Sequence, residues 1–213
     1  MSQLRLVGTP LSHFTRKIRI LLAEFDVPFE FDRSPGVLAP PGAAYGDNPL
    51  QRVPTLFHGS VTLIESDHIA RYLVAQFDSA DRFGVRSERV EDLNQLAVVN
   101  GIMSNEVTLI LARRAGLAQV EDVAYFRKIL GAIDAGLGWL DARIDVDRDS
   151  FDYRDIASIC LWQHLLHYRM AADPERYPRM AARVARFSER PSVASTAPEA
   201  SLAEAAAAGW KPA

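Results

Sequence analysis

The sequence predicts a small α/β domain followed by an all-helical domain within its 213 residues. Two observations support this division. Over the first 78 residues, the spacing of apolar residues changes in the order strand, helix, strand, loop, strand, strand, helix. After Ile64 only helical spacing is found. The first order is that of thioredoxin-like domains, so we predict a thioredoxin-like domain over residues 1–78 and an all-α domain over residues 87–213, joined by a polar linker.

A strand, a helix and a second strand open the first domain. The short apolar run Leu4–Gly8 predicts the first strand. From Ser12 to Phe25, apolar residues recur every three or four positions, which is typical of a helix with one buried face. Phe29–Asp32 alternates between apolar and acidic residues, as expected for a half-buried strand.

A loop, a hairpin and a second helix complete this domain. Ser34–Asp47 contains three prolines and three glycines, so we predict a loop there. Thr55–His58 and Val61–Ile64 read as the two strands of a hairpin, because a glycine turn separates them. Ser66–Phe77 has the spacing of an amphipathic helix.

Helical spacing continues through the second domain. Asp152 is placed to cap the third of its helices, with Asp155 at the third helical position, so we predict a capping box there. The box serves folding and is assigned no chemistry. The predicted helices lie at about residues 87–115, 122–144, 153–170 and 176–189, followed by an alanine-rich tail near 201–208.

The composition is that of an ordinary soluble protein, with 48% apolar and 24% charged residues. A net charge of −3 and a pI near 6.0 give no reason to expect nucleic acid or an anionic membrane as a partner. No run approaches the ~20 apolar residues that a membrane span needs. Arg5 and Ser12-His13 interrupt the apolar start, so we find no N-terminal signal and expect a cytoplasmic protein.

The single cysteine, Cys160, excludes an intramolecular disulfide, a Cys-x-x-Cys pair and a thiol-rich metal site. His164 and His167 lie three residues apart on a predicted helix, a spacing that permits a pair of metal ligands. No carboxylate is spaced to complete such a site, so we predict that the protein binds no metal.

Residues 53–66 combine groups that suit a peptide ligand. Pro54 has no N–H, so it can begin a strand, and the bond before it is a candidate for the cis isomer. The amide and carbonyl of Val53 would then be available to an extended ligand. Ser66 begins a helix, whose N–H groups bind carboxylates, and Glu65 beside it would attract an ammonium group. These features suit an α-amino acid joined to a short peptide.

Two motifs in this region resemble the glutathione-binding half of the cytosolic glutathione S-transferases. NPLQRVPTL at residues 48–56 is similar to their NPxGKVPxL, and ESDHIARYL at residues 65–73 is similar to their ESxAIxxYL. The resemblance is close from Leu4 to Phe77. It implies a thioredoxin-like domain followed by a helical one, a homodimer, and glutathione as co-substrate. The binding residues that it implies are Arg52, Val53, Pro54, Glu65 and Ser66.

The start of the first helix is the predicted catalytic position. In redox thioredoxin-like proteins this position carries a nucleophilic cysteine, because a helix N-terminus lowers a thiol pKa. Here the chain has no cysteine nearby, so the thiol would arrive with the ligand and the Ser12 hydroxyl would stabilise its thiolate. Residues 12–17 are similar to the Ser-Pro-Phe-x-Arg-Lys segment of many bacterial transferases, which implies that Ser12 is catalytic. Thr9 is the rival hydroxyl, and both Ser12 and Ser66 are also preferred N-cap residues.

The electrophile is expected beside the loop that precedes the first helix. We assign Leu11, His13 and Phe14 to this pocket, together with Met103 from the first helix of the second domain. An apolar residue at helical spacing is more often part of a core, which is the other interpretation of Met103. His13 replaces the proline common in the family. It either titrates near neutral pH and contacts the second substrate, or is a solvated side chain.

We therefore predict a glutathione transferase that activates the glutathione thiol for attack on a small hydrophobic electrophile. A glutathione-dependent isomerase or dehalogenase would use the same thiolate and differ in the second pocket. The lack of a Ser-Ser-Cys run argues against the zeta-type isomerase. The alternative from another class is a non-catalytic transferase-like interaction protein of the stringent-starvation type, in which the glutathione site is often degraded.

Overall fold

The computed structural model describes residues 3–33, 45–117, 119–171 and 173–211. The chain forms two compact units, of which the first comprises Met1–Arg86 with Glu189–Ala213 and the second Ser87–Ser188. The loop predicted over residues 34–47 falls mostly outside the described residues.

Up to Arg86, the described part of the first unit contains a four-stranded mixed sheet and the helices α1 (His13–Glu24) and α2 (Ser66–Phe77). The sheet has the order β2-β1-β3-β4, where β1 is Leu4–Gly8, β2 is Phe29–Arg33, β3 is Thr55–His58 and β4 is Val61–Ile64. Strand β1 runs parallel to β2 and antiparallel to β3, and β3 runs antiparallel to β4. This order of elements confirms the predicted thioredoxin-like fold.

Gly8 allows α1 to pack closely against the end of β1. A Cβ atom at this position would lie 2.3 Å from Cγ2 of Thr15 and 2.9 Å from Cε2 of Phe31. These separations are too short for carbon atoms, so a larger residue would displace the first turn of α1 from the sheet. Because Ser12 immediately precedes that turn, Gly8 helps to fix its position.

The segment that joins the predicted domains is more ordered than its polar composition suggests. Phe83 and Val85 are both buried. The carboxylate of Asp81 accepts hydrogen bonds from the backbone N–H groups of Val85 and Arg86, at 2.8 Å and 2.9 Å. Short-range capping of this kind folds a polar segment into a compact turn.

The second unit consists of helices connected by turns and short 3₁₀ segments across its described residues. The helices are α3 (Val90–Arg114), α4 (Ala124–Asp141), α5 (Tyr153–His167) and α6 (Pro178–Ser188). They correspond to the four predicted helices, whose ends were extended by a few residues into the turns.

The start of α5 is closed by the predicted capping box. The carboxylate of Asp152 accepts from the N–H of Asp155 at 3.2 Å, and that of Asp155 accepts from the N–H of Asp152 at 2.9 Å. Arg183 of α6 donates two further hydrogen bonds to the Asp155 carboxylate, at 2.7 Å and 2.9 Å. A buried ion pair between Arg183 and Asp155 therefore stabilises the capping box.

Helix α3 is long and apolar enough, by length and composition, to cross a membrane. Its most apolar window of 18 residues has a mean hydropathy of 1.3, because the acidic and basic residues lie mainly at its two ends. The core helix of a soluble protein passes the same test, so one such helix is weak evidence. Sequence analysis had found no run of this kind.

The C-terminal segment, Glu189–Ala213, belongs to the first compact unit. It contains two helices, α7 (Pro191–Ala194) and α8 (Pro198–Ala207). Nε of Arg16 donates to Oγ1 of Thr196 at 3.2 Å, and Arg19 donates to the carboxylate of Glu204 at 2.7 Å. Sequence analysis predicts this segment as part of the helical domain, because helical spacing does not show which unit a helix packs against.

Candidate ligand-binding site

The register of the sheet brings three chain segments to one edge. Val7 near the end of β1 pairs with Thr55 at the start of β3, and Thr55 pairs with Ile64 at the end of β4. The residues that follow β1, precede β3 and follow β4 therefore all leave the sheet at the same edge. These residues include Ser12, Val53, Pro54, Glu65 and Ser66, and we call this group the binding edge.

The Val53–Pro54 peptide bond is cis, the isomer considered for that corner. Val53 is half-buried, whereas Pro54 is buried. Within the described residues, the amide and the carbonyl of Val53 form no backbone hydrogen bond. Both groups can therefore pair with an extended ligand, as an edge strand does.

Two buried side chains that sequence analysis did not assign hold this corner in place. Nδ2 of Asn48 donates to the carbonyl of Arg52 at 3.2 Å and to Oγ1 of Thr55 at 2.7 Å. Oγ1 of Thr55 also donates to the carbonyl of Arg52, at 2.9 Å. Asn48 and Thr55 belong to the quoted NPLQRVPTL motif, so the motif contained the signal. The side chain of Arg52 itself is exposed.

Helix α2 begins in an unusual way. Its N-cap is Glu65 and not Ser66, and Glu65 has φ 71°, a left-handed conformation that residues other than glycine rarely adopt. The side chain of Glu65 forms no capping hydrogen bond. Ser66 is its first helical residue and is only 2% exposed, whereas Glu65 is exposed. Strained backbone of this kind, costing roughly 1–3 kcal/mol, is typical of ligand-binding positions.

Ser12 is the N-cap of α1. Its hydroxyl oxygen accepts a hydrogen bond from the N–H of Thr15 at 3.1 Å, and its own N–H donates to the carbonyl of Thr9 at 3.2 Å. A hydroxyl that accepts one bond still has its proton to donate. Capping and stabilisation of a thiolate are therefore compatible in the same side chain. Thr9 is half-buried and lies in the loop before α1.

His13 is buried, with only 1% of its surface exposed. This finding overturns the interpretation of His13 as a solvated side chain. Nδ1 of His13 accepts from the N–H of Phe14 at 3.1 Å, and the two rings meet edge to face at 4.6 Å. Leu11 and Phe14 are half-buried beside it in the chain.

Met103, the one pocket residue assigned to the second unit, is completely buried in α3. Burial of this degree is what a core residue shows, and the assignment of Met103 to a substrate pocket stays a prediction.

The same helix carries Glu106, whose Oε1 lies 2.7 Å from Nδ1 of His164 on α5. Sequence analysis found no carboxylate near His164, because the two residues are far apart in the chain and only helix packing brings them together.

Comparison with known proteins identifies a family for the first unit. Residues 6–81 match the model of the glutathione S-transferase N-terminal domain. A comparison with curated protein sequences found no significant match. The matched segment includes all residues of the binding edge.

Several of the solved structures that resemble the chain are bacterial glutathione transferases. A family member from Pseudomonas fluorescens with bound glutathione is 25% identical, with 92% of this chain and 99% of that chain covered and a TM-score of 0.78. A glutathione S-transferase from Methylobacillus flagellatus with GSH bound is 26% identical, with coverage of 92% and 100% and a TM-score of 0.75. One from Methylobacterium radiotolerans, in complex with glutathione sulfonate, shares the fold at 24% identity, coverage of 92% and 95%, and a TM-score of 0.77.

Proposed function

The chain belongs to the glutathione S-transferase superfamily, and from this membership we propose that it binds glutathione at the binding edge and transfers it to an electrophile. One observation carries the proposal. The sheet register brings a helix-capping hydroxyl, a backbone amide and carbonyl, and an uncapped helix N-terminus to the same edge. These are the groups that an extended peptide with a thiol and a carboxylate requires.

Glutathione would lie extended along the binding edge. The backbone of its cysteinyl residue pairs with the amide and carbonyl of Val53, beside Pro54. Its γ-glutamyl carboxylate binds the hydroxyl and amide of Ser66 at the start of α2, where the helix dipole favours an anion. The ammonium group of the same residue pairs with Glu65. Arg52, whose side chain is exposed, attracts the glycyl carboxylate.

Ser12 would activate the thiol. Its hydroxyl donates a hydrogen bond to the sulfur, which stabilises the thiolate and lowers the pKa of the thiol. The thiolate then attacks an electrophilic carbon and forms a carbon–sulfur bond, while a leaving group departs or the adduct takes up a proton. Leu11, His13 and Phe14 follow or flank Ser12 in the chain, and we propose that they contact the electrophile. We further propose that the protein is a homodimer located in the cytoplasm.

Calorimetric titration with glutathione tests the binding step. The wild type should bind, and Ser66→Ala should weaken binding strongly, since a hydrogen bond to a charged group contributes about 1.5–3 kcal/mol. Ser60→Ala, in the exposed turn between β3 and β4, is the matched control and should bind like the wild type. If the wild type does not bind glutathione, the transferase proposal is wrong and a non-catalytic interaction protein takes its place.

The pH dependence of the rate with a small aromatic electrophile tests the catalytic step. Ser12→Ala should raise the apparent pKa of the bound thiol and slow the reaction at neutral pH, whereas Thr9→Ala should leave the profile unchanged. The opposite result would assign the activating hydroxyl to Thr9. If neither variant shifts the profile, hydroxyl activation of the thiol is ruled out.

A further inference from the structure

We call the hydroxyl and amide of Ser66 at the start of α2 the carboxylate socket. A second acidic residue lies beside it, and the proposed binding mode gives this residue no role. Ser66 stands between Glu65, which would pair with an ammonium group, and Asp67. Asp67 lies in the first turn of α2, within the same positive end of the helix dipole that would attract a ligand carboxylate. An unbalanced charge on Asp67 would compete for that end and repel the carboxylate.

Lys17 of α1 supplies the opposite charge. Its Nζ lies 2.6 Å from Oδ1 of Asp67, and its side chain is completely buried. The same ammonium group lies 5.5 Å from the centre of the Phe14 ring, within the range of a cation–π contact. A buried ammonium group without a partner is energetically costly, and this cost keeps Lys17 paired with Asp67.

We propose that Lys17 is a positioning residue for glutathione that acts through Asp67. By neutralising the Asp67 carboxylate, it leaves the positive end of α2 available to the γ-glutamyl carboxylate. The inference rests on the proposed function. It explains how a carboxylate socket with two acidic neighbours, Glu65 and Asp67, can still bind an anion. Lys17 does not contact the ligand in this account, and its effect is confined to ligands that carry the γ-glutamyl carboxylate.

A pair of peptides separates this role from a general structural one. The first is glutathione. The second is 4-aminobutyryl-cysteinylglycine, which keeps the ammonium, thiol and glycyl groups but lacks the γ-glutamyl carboxylate. In calorimetric titrations, Lys17→Met should weaken glutathione binding at least tenfold and change binding of the second peptide by less than threefold. The double variant Lys17→Met/Asp67→Asn should bind glutathione within threefold of the wild type, because no unbalanced charge remains.

The control is an ion pair in the same unit that does not contact α2. Arg5 on β1 pairs with Asp32 on β2 at 2.8 Å, and both side chains are about a third exposed. Arg5→Met should bind both peptides like the wild type. Circular dichroism and thermal unfolding establish that each variant is folded before it is titrated.

Three results would overturn the inference while leaving glutathione binding by the wild type in place. The first is an unchanged affinity of Lys17→Met for glutathione, and the second is an equal loss for both peptides. The third is a double variant that binds glutathione more than threefold more weakly than the wild type, a comparison that also decides the case if Lys17→Met alone does not fold. Failure of the wild type to bind either peptide would instead overturn the proposed function itself.

Discussion

Two helix starts in this chain differ in how their backbone N–H groups are satisfied. At α5, Asp152 caps the helix, Asp155 returns the bond, and Arg183 pairs with Asp155 from a neighbouring helix. At α2, Glu65 occupies the N-cap with a left-handed backbone, and its side chain forms no capping hydrogen bond. Ser66, which follows, is buried but serves no cap.

The difference shows how one local feature can serve two purposes. A helix start whose N–H groups are satisfied by its own chain stabilises the fold and has no capacity left for a ligand. A helix start that is held in place by its surroundings, but left uncapped, keeps those donors for an anion. The strained backbone at Glu65 is the energetic cost of leaving the start of α2 uncapped. We therefore place the ligand at the start of α2, whereas the start of α5 serves only folding.

The largest effect is expected when the buried ion pair between Arg183 and Asp155 at the start of α5 is removed. Arg183→Met removes one of the two arginines that pair with the buried Asp155 carboxylate and leaves Arg148 as the other, so we expect the free energy of unfolding to fall by about 1–3 kcal/mol. Urea unfolding measures this change. Arg176→Met is the control, because its pair with Asp134 is exposed on both sides and water screens such pairs, so its unfolding curve should stay close to that of the wild type. Equal losses in the two variants would show that the start of α5 is not closed by a buried pair.

A smaller effect should separate the two helix starts directly. Asp152→Ala removes a cap and should destabilise the protein by about 0.5–2 kcal/mol. Ser66→Ala removes no cap and introduces a better helix former, so its unfolding curve should stay close to that of the wild type. Urea unfolding of both variants makes the comparison. A Ser66→Ala variant as unstable as Asp152→Ala would mean that Ser66 serves folding.

The smallest effect is expected at the hydroxyl of Tyr177, a polar group whose hydrogen-bond partner also lies in the helical unit. Burial and a hydrogen bond to Asp134, at 2.5 Å, raise the pKa of Tyr177 to about 12. An unfolded tyrosine ionises near pH 10, so between about pH 10 and 12 the folded state keeps a proton that the unfolded state loses. The contribution of Tyr177 is therefore complete below pH 10 and is lost as the pH rises towards 12.

Thermal unfolding between pH 9 and 12 tests this expectation. Tyr177→Phe should show a flatter decline of stability over that range than the wild type. Tyr125→Phe is the matched control, because Tyr125 is 61% exposed and its removal should leave the decline unchanged. Parallel declines in all three proteins would contradict the raised pKa.

Local pattern was sufficient for most of the first unit. The hairpin strands and α2 lie where the spacing of apolar residues predicts them, because alternation and a glycine turn are read from neighbouring residues. The capping box at Asp152 was found for the same reason, since its two residues are three apart. The binding edge was predicted from motifs that span only a few positions each.

Features that depend on packing could not be read in this way. Glu106 meets His164, and Lys17 meets Asp67, across dozens of residues. Nothing in their local sequence distinguishes them from residues on a solvated helix face. His13 was open to the wrong interpretation because a polar residue near a helix start is usually exposed, and only the fold reveals its burial.

The return of the C-terminal segment to the first unit has a consequence for the order in which the protein can be completed during synthesis. Arg16 leaves the ribosome 180 residues before its partner Thr196, and Arg19 leaves it 185 residues before Glu204. Residues 87–188 form a compact unit of their own and can fold while the rest is still being made. The first unit is therefore begun before the second and completed after it, and a chain cut short before residue 189 would lack Thr196 and Glu204, which accept hydrogen bonds from Arg16 and Arg19.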